Sequence, residues 1–284
     1  MKNQDQTTQS RQSIEETERQ LQRYADRIER TEEELVTLAY IVSHDLRTPL
    51  ISLKSFAAEL NSALETVHPV IDALSPHLED KQEKIINQVF QEDIPEFLDF
   101  IQYSIGQMDK LIGAILKLSR LTRKELTFEP LDTEALVQKT LSRLAPSIEK
   151  RQASVSVGPL PEIFADRGAM EQIWEHILTN AVIYLEADRP GEIEITAEKK
   201  QDKTVFHVRD NGRGIAERDM SKVFKPFRRA GRQNVPGEGM SLAYARTLIR
   251  RHGGYIECTS KLEVGTTFTF TISNHIVEGG IYAE

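Results

Sequence analysis

The sequence has few of the residues that build disulfide-rich, metal-rich or membrane-spanning proteins. Its 284 residues include one cysteine, Cys258, which excludes an intramolecular disulfide and any site built from several cysteines. No run of 18 apolar residues is present, so no segment is predicted to cross a bilayer. The polar start, residues 1–11, lacks the apolar core of a signal peptide. We therefore expect a cytoplasmic protein without a direct membrane span.

Basic residues are also in the minority. The 36 lysines and arginines face 44 acidic residues, and the formal net charge of −8 argues against a protein that binds nucleic acid. Hydrophobic residues make up 39% and charged residues 28% of the chain, which excludes a wholly disordered protein but allows one long solvated segment. The length predicts two domains.

A heptad pattern runs through the first part of the chain. The repeating apolar positions are Ile14, Leu21, Ile28, Leu35 and Val42, and the weaker positions three residues after the first four are Thr17, Tyr24, Thr31 and Leu38. With flanks rich in Glu, Gln and Arg, this pattern favours a parallel coiled coil over residues 1–34 and therefore a homodimer. A lone amphipathic helix packed on a globular core is the alternative.

Helical spacing continues beyond this seam. Apolar residues recur at helical intervals over residues 50–60 and again over 97–118, and Pro49 is expected to kink the first helix without ending it. Two long helices joined by a turn make a helical hairpin, and two hairpins from two chains would make a four-helix bundle. We assign residues 35–126 to this dimerisation domain.

Prolines suggest where these helices end and begin. Pro69 and Pro76 are predicted to mark the connection between the two helices. Asp93 and Pro95 resemble a helix cap and a first-turn proline, although residues 78–92 could form a helix of their own.

The remainder mixes strands and helices. The windows that alternate like strands are residues 154–157, 193–195, 205–208 and 266–272, and the helical windows are 132–150, 168–184 and 240–252. This pattern predicts an α+β domain with its own core over residues 127–284. The flanks of Cys258 also alternate like a strand, which favours a small buried residue over a catalytic thiol.

One histidine lies in a charged helical segment. The segment reads Ser43-His44-Asp45-Leu46-Arg47-Thr48-Pro49-Leu50, and with Val42 in the helical seam His44 falls on the outward face. A lone surface histidine usually has no catalytic role. Here Asp45 can accept the proton of one ring nitrogen and leave the other nitrogen as a nucleophile. Thr48 lies one turn further along the same face.

Two glycine clusters lie in the C-terminal part. Asp210-Asn211-Gly212-Arg213-Gly214 follows a predicted strand and, taken alone, equally indicates a turn. Gly237-Glu238-Gly239 directly precedes a predicted helix, where backbone amides can approach a phosphate. Upstream, Asn180 shares a predicted helix with Glu171, Gln172 and His176, and its amide oxygen could complete a Mg²⁺ shell together with phosphates.

The order of these motifs resembles that of two-component sensor histidine kinases. His-Asp-x-x-Thr-Pro and Asn-Ala on helices precede Asp-x-Gly-x-Gly, Phe-Lys-Pro-Phe and Gly-x-Gly, all within residues 35–273. Asp188-Arg189-Pro190 resembles the phytochrome-related branch of this family. The resemblance implies a two-layer α/β sandwich that binds ATP under a flexible lid, and it implies a homodimer, a response regulator receiver domain and an upstream sensory domain or sensor protein as partners.

The resemblance also implies roles for individual residues. His44 would be the phosphoacceptor and Asp45 its general base, while Thr48 would orient water when phosphate is removed from the partner. With ATP and Mg²⁺ as cofactors, Asn180 would hold the metal and Asp210 would bind the adenine amino group. The other implied contacts are Gly212 and Gly214 at the base, Gly237 and Gly239 at the phosphates, Thr266 near adenine, and Phe224 and Phe227 at the lid or simply in the core.

Four positions depart from the common family pattern. They are His176 in place of asparagine, Ile183 in place of lysine, Glu238 in place of threonine and Ser241 in place of a third glycine. The missing lysine removes a counter-charge for phosphate, and a carboxylate adds repulsion if it faces the site. Positive charge could be restored by Arg228, Arg229 and Arg232, or these residues could belong to a solvated loop.

The leading hypothesis is an ATP-dependent protein histidine kinase that autophosphorylates His44 and transfers the phosphate to an aspartate of a response regulator. The alternative, supported by Ile183 and Ser241, is a catalytically weakened member acting as a phosphatase or regulated scaffold. A gyrase- or chaperone-type ATPase would not need His44 on a dimer helix, and a coiled-coil adaptor leaves the nucleotide motifs unexplained. Since no sensory domain is apparent before the coiled coil, the input would come from a partner or from the rest of a longer sensor.

Overall fold

The structure divides into two units. The computed structural model describes residues 39, 41–73, 79–228 and 239–274, and the boundary between the units falls after Ser119. The predicted coiled-coil seam up to Leu38 lies outside the described residues. Among the described helices, none is long and apolar enough to cross a membrane.

The first unit is a helical hairpin, as predicted. Helix α1 spans residues 41–73, and the returning helical segment comprises α2 (Asp80–Asn87), a π-helical turn (Gln88–Asp93) and α3 (Ile94–Arg123). Buried apolar side chains from both arms pack together, namely Leu50, Ala57, Ile105, Ile112 and Leu116. The seven-residue spacing of Leu50 and Ala57 places both on one face of α1, so this core joins the two arms of the hairpin.

The prolines do not lie where the sequence pattern placed the helix ends. Helix α1 continues through Pro49, as expected, but it also continues through Pro69 to residue 73. The prediction that Pro69 marks the connection is therefore wrong, and Pro76 lies outside the described residues. The returning helical segment begins at Asp80, where Glu79 forms a reciprocal cap with Gln82.

Helix α3 begins at Ile94, so Pro95 lies in its first turn, as predicted, but Asp93 ends the π-helical turn and does not cap the helix, because the helical segment runs on without a break. A proline has no N–H to donate, and its ring crowds the carbonyl group four residues earlier in an α-helix. The π-helical turn directly before Pro95 changes this geometry, because the Ile94 N–H bonds to the Val89 carbonyl five residues earlier. The wider turn lets the helical segment continue through the proline.

The second unit contains a mixed sheet. Five strands run in the spatial order β2 (Ser154–Val157), β4 (Glu192–Lys199), β5 (Lys203–Asp210), β7 (Gly265–Ser273) and β6 (Ile256–Lys261). Only the β2–β4 pair is parallel among them. Two further short strands, β1 (Phe128–Leu131) and β3 (Ile163–Asp166), form a separate antiparallel pair.

A helical layer covers this sheet. The helices are α4 (Thr133–Lys150), α5 (Arg167–Ile183), α6 (Glu217–Met220) and α7 (Ser241–Arg251). Trp174 of α5 is fully buried, and its ring lies edge-on to Phe206 at 5.3 Å and to Phe270 at 5.2 Å. These contacts fix α5 on the central strands β5 and β7, and they confirm the predicted two-layer α+β sandwich.

Candidate functional site

A pocket lies where the end of β5, the end of α5 and the start of α7 meet in the second unit. Its lining includes five of the residues that the resemblance assigned to ligand binding, namely Asn180, Asp210, Gly214, Gly239 and Thr266. Gly212 does not line the pocket, but a Cβ atom on it would contact the lining residues Tyr184 and Asp210, and Gly237 falls outside the described residues. The fold therefore gathers residues that are up to 86 positions apart in sequence around one cavity.

Asp210 is a buried carboxylate at the pocket wall. It is the last residue of β5, only 4% exposed, and it accepts hydrogen bonds from the backbone N–H groups of Gly212 (2.9 Å) and Thr266. Burial raises the pKa of Asp210 to about 6, and the two hydrogen bonds offset only part of that effect. At neutral pH the side chain therefore presents a desolvated hydrogen-bond acceptor to the pocket.

The glycines beside Asp210 allow backbone segments to pack closely. A Cβ atom on Gly212 would lie 2.8 Å from the Asp210 Oδ1 and would collide with the Tyr184 carbonyl group. Gly214 has a φ of +66°, and a Cβ atom there would collide with the Lys261 carbonyl group. Both positions require glycine, because neither has space for a side chain.

Asn180 supplies an amide oxygen near the last turn of α5. Its Nδ2 donates to the His176 carbonyl at 2.7 Å, which leaves the Oδ1 lone pairs for a ligand. No group of three acidic, histidine or cysteine side chains able to hold a metal occurs in the described part of the chain. An Mg²⁺ ion at Asn180 therefore fits only if phosphate or water oxygens complete its shell.

Three of the four residues that depart from the family pattern can be located in the structure. Ile183 lines the pocket where a lysine was expected, and Ser241 lines it as the first residue of α7. The His176 ring packs against Tyr244 with ring centroids 5.5 Å apart. Arg228 lines the pocket as well, whereas Arg229, Arg232 and Glu238 lie outside the described residues.

Sequence reasoning missed two pocket residues that form a pair. The Arg213 guanidinium lies 4.4 Å from the centroid of the Tyr184 ring, and both side chains line the pocket. Arg213 therefore adds a positive charge to a wall that lacks the expected lysine. The sequence offered one sign of this role. Arg213 lies between Gly212 and Gly214, so it belongs to the loop that was expected to contact the ligand.

The two aromatic residues expected at a lid or in the core, Phe224 and Phe227, have different environments. The Phe224 ring lies edge-on to the pocket residue Phe268 at 6.4 Å, so it packs against the sheet. Phe227 adopts a φ of +59°, and its N–H bonds to the Gly239 carbonyl at 3.1 Å. Gly239 itself has a φ of +72°. The two ends of the segment before α7 are thus held together by their backbones.

His44 lies on α1 in the first unit. Its side chain is 68% exposed, and its Nδ1 lies 3.3 Å from Asp45 Oδ1. Thr48 is exposed on the next turn, where its carbonyl accepts a hydrogen bond from the Ser52 hydroxyl at 3.3 Å. This arrangement occupies one ring nitrogen of His44 and leaves Nε2 as the other nucleophilic position.

Comparison with known proteins identifies the second unit. Residues 165–276 match the family described as histidine kinase-, DNA gyrase B-, and HSP90-like ATPase, and this range contains every pocket residue named above. These residues therefore form a domain of this ATPase family. The chain is 29% identical over 256 residues to phytochrome-like protein Cph1 of Synechocystis sp., which confirms the expected resemblance to phytochrome-related proteins.

The similarity extends through both units. The methanogenesis regulatory histidine kinase FilI of Methanothrix harundinacea is 30% identical over 255 residues; the alignments cover 89% of this chain but 31% of Cph1 and 26% of FilI. The chain thus spans about a third or less of these relatives. Full-length ShkA, solved in complex with AMPPNP, has the same fold, with a TM-score of 0.50 and 22% sequence identity; the match covers 80% of this chain and 47% of ShkA.

Proposed function

We propose that the chain is an ATP-dependent protein histidine kinase that autophosphorylates His44. The observation that carries this proposal is the buried acceptor Asp210 in the pocket of an ATPase domain, in a chain that also presents His44 beside Asp45 on an exposed helix face. An ATPase of the gyrase or chaperone type would have no use for this second feature. ShkA, which has the same fold, was solved with AMPPNP, and this supports ATP as the substrate.

Adenine recognition follows from the chemistry of Asp210. An ionised carboxylate only accepts hydrogen bonds, so it pairs with the exocyclic amino group of adenine and repels the O6 oxygen that guanine has at that position. Asn180 would hold Mg²⁺ together with phosphate oxygens, and Gly239 with Ser241 would lie towards the phosphates. When bound, Mg²⁺ would neutralise the charge that develops on the phosphates.

The chemical step uses the His44–Asp45 pair. Asp45 holds the proton on Nδ1 of His44, so the Nε2 lone pair attacks the γ-phosphorus of ATP. A phosphorus–nitrogen bond forms as the bond to the bridging oxygen breaks, and ADP leaves. We further propose that the phosphate then passes to an aspartate on a response regulator receiver domain, and that Thr48 orients water when the regulator is dephosphorylated.

Helix α1 supports the proposal of a homodimer. A line of exposed apolar side chains runs along it at alternating intervals of four and three residues, namely Val42, Leu46, Leu53, Phe56, Leu60, Val67 and Val70. Pro49 and Ala63 fill the two gaps in this line. The 3.5-residue repeat is the spacing that two helices need to pack along their length, so a second copy covering this line would complete a four-helix bundle.

Sedimentation of the full chain tests the dimer. Phe56→Glu places a charge in the middle of the exposed line and should weaken the dimer, which the proposed coiled coil at residues 1–34 would still hold in part. Ile51→Glu is the matched control, because Ile51 is also exposed, at 62%, but lies off the line. If both variants or neither weaken the dimer, the line is not part of the dimer interface.

The domain scheme places a coiled coil at residues 1–34, the phosphoacceptor domain at 35–126 and the ATP-binding domain at 127–284. The input would come from an upstream sensory domain or sensor protein. A second candidate function, a weakened member acting as phosphatase or scaffold, is favoured by one observation, the apolar Ile183 in the pocket wall.

An assay of labelled phosphate transfer from ATP to the chain distinguishes the histidine kinase from the phosphatase or scaffold. The wild-type chain should acquire label that is stable in base and lost in acid, as phosphohistidine is, and His44→Gln should acquire none while it still binds nucleotide. Acid-stable label would contradict His44 as the acceptor. Absence of label together with binding of a response regulator would favour the scaffold function.

A further inference from the structure

The segment after α5 carries an arginine with an unusual set of contacts. Arg189 donates four hydrogen bonds, all to backbone carbonyl groups: Nε and Nη2 to Asn211 (3.0 and 2.7 Å), Nη2 to Gly212 (2.9 Å) and Nη1 to Glu263 (3.0 Å). The side chain is half-buried. One guanidinium group therefore contacts three carbonyl oxygens on two separate segments.

These two segments are the loop after β5 and the turn between β6 and β7. They meet in one further backbone hydrogen bond, in which the Glu263 N–H donates to the Arg213 carbonyl at 2.7 Å. The planar fork of a guanidinium can satisfy divergent acceptors at the same time, whereas an ammonium group acts as a single point charge. Arg189 is therefore suited to fix the spacing between the loop and the turn.

The loop is also tied to the start of β4. The Asn211 side chain accepts from the Glu192 N–H at 2.8 Å and donates to the Pro190 carbonyl at 3.0 Å. Between these attachments, the Gly212 N–H points to the Asp210 carboxylate at 2.9 Å. Arg189 therefore donates to the carbonyl group of Gly212, and the N–H of that same residue donates to the Asp210 carboxylate in the pocket.

We propose that Arg189 is a positioning residue of the nucleotide pocket, which fixes the loop at 211–212 against the turn at Glu263 and thereby orients Asp210 for adenine. This inference rests on the proposed ATP-binding function and assigns a role to the Asp188-Arg189-Pro190 segment. Arg189 touches no substrate itself and acts through the backbone of Asn211 and Gly212.

Calorimetry with Mg-AMPPNP on the full chain tests the proposal. Arg189→Lys keeps the charge but cannot reach three carbonyl groups, so we expect a weakening of about tenfold, by analogy with the lower end of the losses seen when a partner that orients a metal ligand is removed. Arg189→Met keeps the stem without donors and should weaken binding at least as much. Arg209→Lys, on the exposed side of β5, is the matched control and should bind like the wild type.

Titration of the Asp210 carboxyl by NMR, without nucleotide, gives a second readout. Loss of the loop restraint should weaken the Gly212 hydrogen bond to the carboxylate and move its titration to higher pH in Arg189→Lys. The other charged or titratable groups facing Asp210 are Arg213 and Arg228 in the pocket wall and Cys258 on β6, and none of them is altered.

These experiments distinguish failure of the Arg189 proposal from failure of the proposed ATP-binding function. Wild-type affinity and an unchanged Asp210 titration in Arg189→Lys would overturn the proposal, as would full rescue by lysine of a defect seen in Arg189→Met, since charge alone would then suffice. If the wild type itself fails to bind AMPPNP, the proposed function fails. The Asp210 titration in the two variants would still decide whether Arg189 positions the carboxylate.

Discussion

Replacing Asp210 with asparagine should stabilise the fold while it damages nucleotide binding. The pKa of Asp210 is about 6 in the folded chain against 3.8 in the unfolded chain, because burial penalises the charged form. The native state therefore binds the proton more tightly, and stability falls as the pH rises from about 4 through about 6. Above that window the native state carries the full penalty of a buried carboxylate.

The magnitude follows from the shift. The difference of 6 − 3.8, about 2 pKa units, corresponds to roughly 3 kcal/mol of destabilisation at pH 8. Asparagine removes this penalty but presents an N–H₂ group at one end, so it loses an acceptor for either Gly212 or Thr266, which costs about 1 kcal/mol. We expect a net gain of about 2 kcal/mol at pH 8 and a net loss of about 1 kcal/mol near pH 4.

Urea unfolding from pH 4 to pH 8 measures this crossover, and calorimetry with Mg-ATP measures the functional loss. Adenine should bind at least about tenfold more weakly to Asp210→Asn, because a hydrogen bond to a charged acceptor is worth about 1.5–3 kcal/mol. Glu194→Gln removes one charge from the exposed face of β4, so its difference from the wild type should not cross over with pH.

A variant that is less stable than the wild type at every pH would refute the claim that burial dominates the energetics of Asp210. Unchanged affinity for ATP would refute its role in binding adenine. The two measurements are independent, so either part of the argument can fail alone.

Three further predictions concern the same unit. Cys258, whose thiol pKa burial raises to about 12, should react with iodoacetamide at pH 7.5 far more slowly in the folded chain than in urea. Gly214→Ala should lower the unfolding free energy by at least about 1 kcal/mol, because the φ of +66° and the Lys261 carbonyl both exclude a Cβ atom. Ile183→Lys combined with Ser241→Gly should lower the dissociation constant for Mg-ATP several-fold. This corresponds to a gain in binding free energy of about 1–2 kcal/mol, after the cost of desolvating the ammonium group. An unchanged constant would show that Arg213 and Arg228 already supply the charge.

Local patterns predicted much of the second unit. All four predicted strand windows lie within β2, β4, β5 and β7, because alternation of apolar and polar residues directly reports which side of a strand is buried. Strands β1 and β3 were missed. Each has only four residues, and β1 contains Pro130, which normally argues against a strand but is tolerated in a short two-stranded pair.

The site was predicted only in part, because motifs report residues of one segment while pockets combine several. Asp210 and Thr266 were found through their glycine neighbours, and their pairing across β5 and β7 brings them together. The Arg213–Tyr184 pair depends on the approach of two loops, and so do the contacts of Arg189. Such contacts have no periodic signature, so a single sequence gives little warning of them.

The π-helical turn before Pro95 has a consequence for insertions and deletions. A turn closed by a bond five residues back contains one residue more than an α-helical turn, so residues 88–93 accommodate what amounts to a one-residue insertion. Deleting one residue there would restore α-helical closure and leave the faces of α2 and α3 in nearly the same relation, since the wider turn already absorbs the extra residue. Homologous chains that lack the extra residue should therefore carry the apolar residues of this segment on the same face.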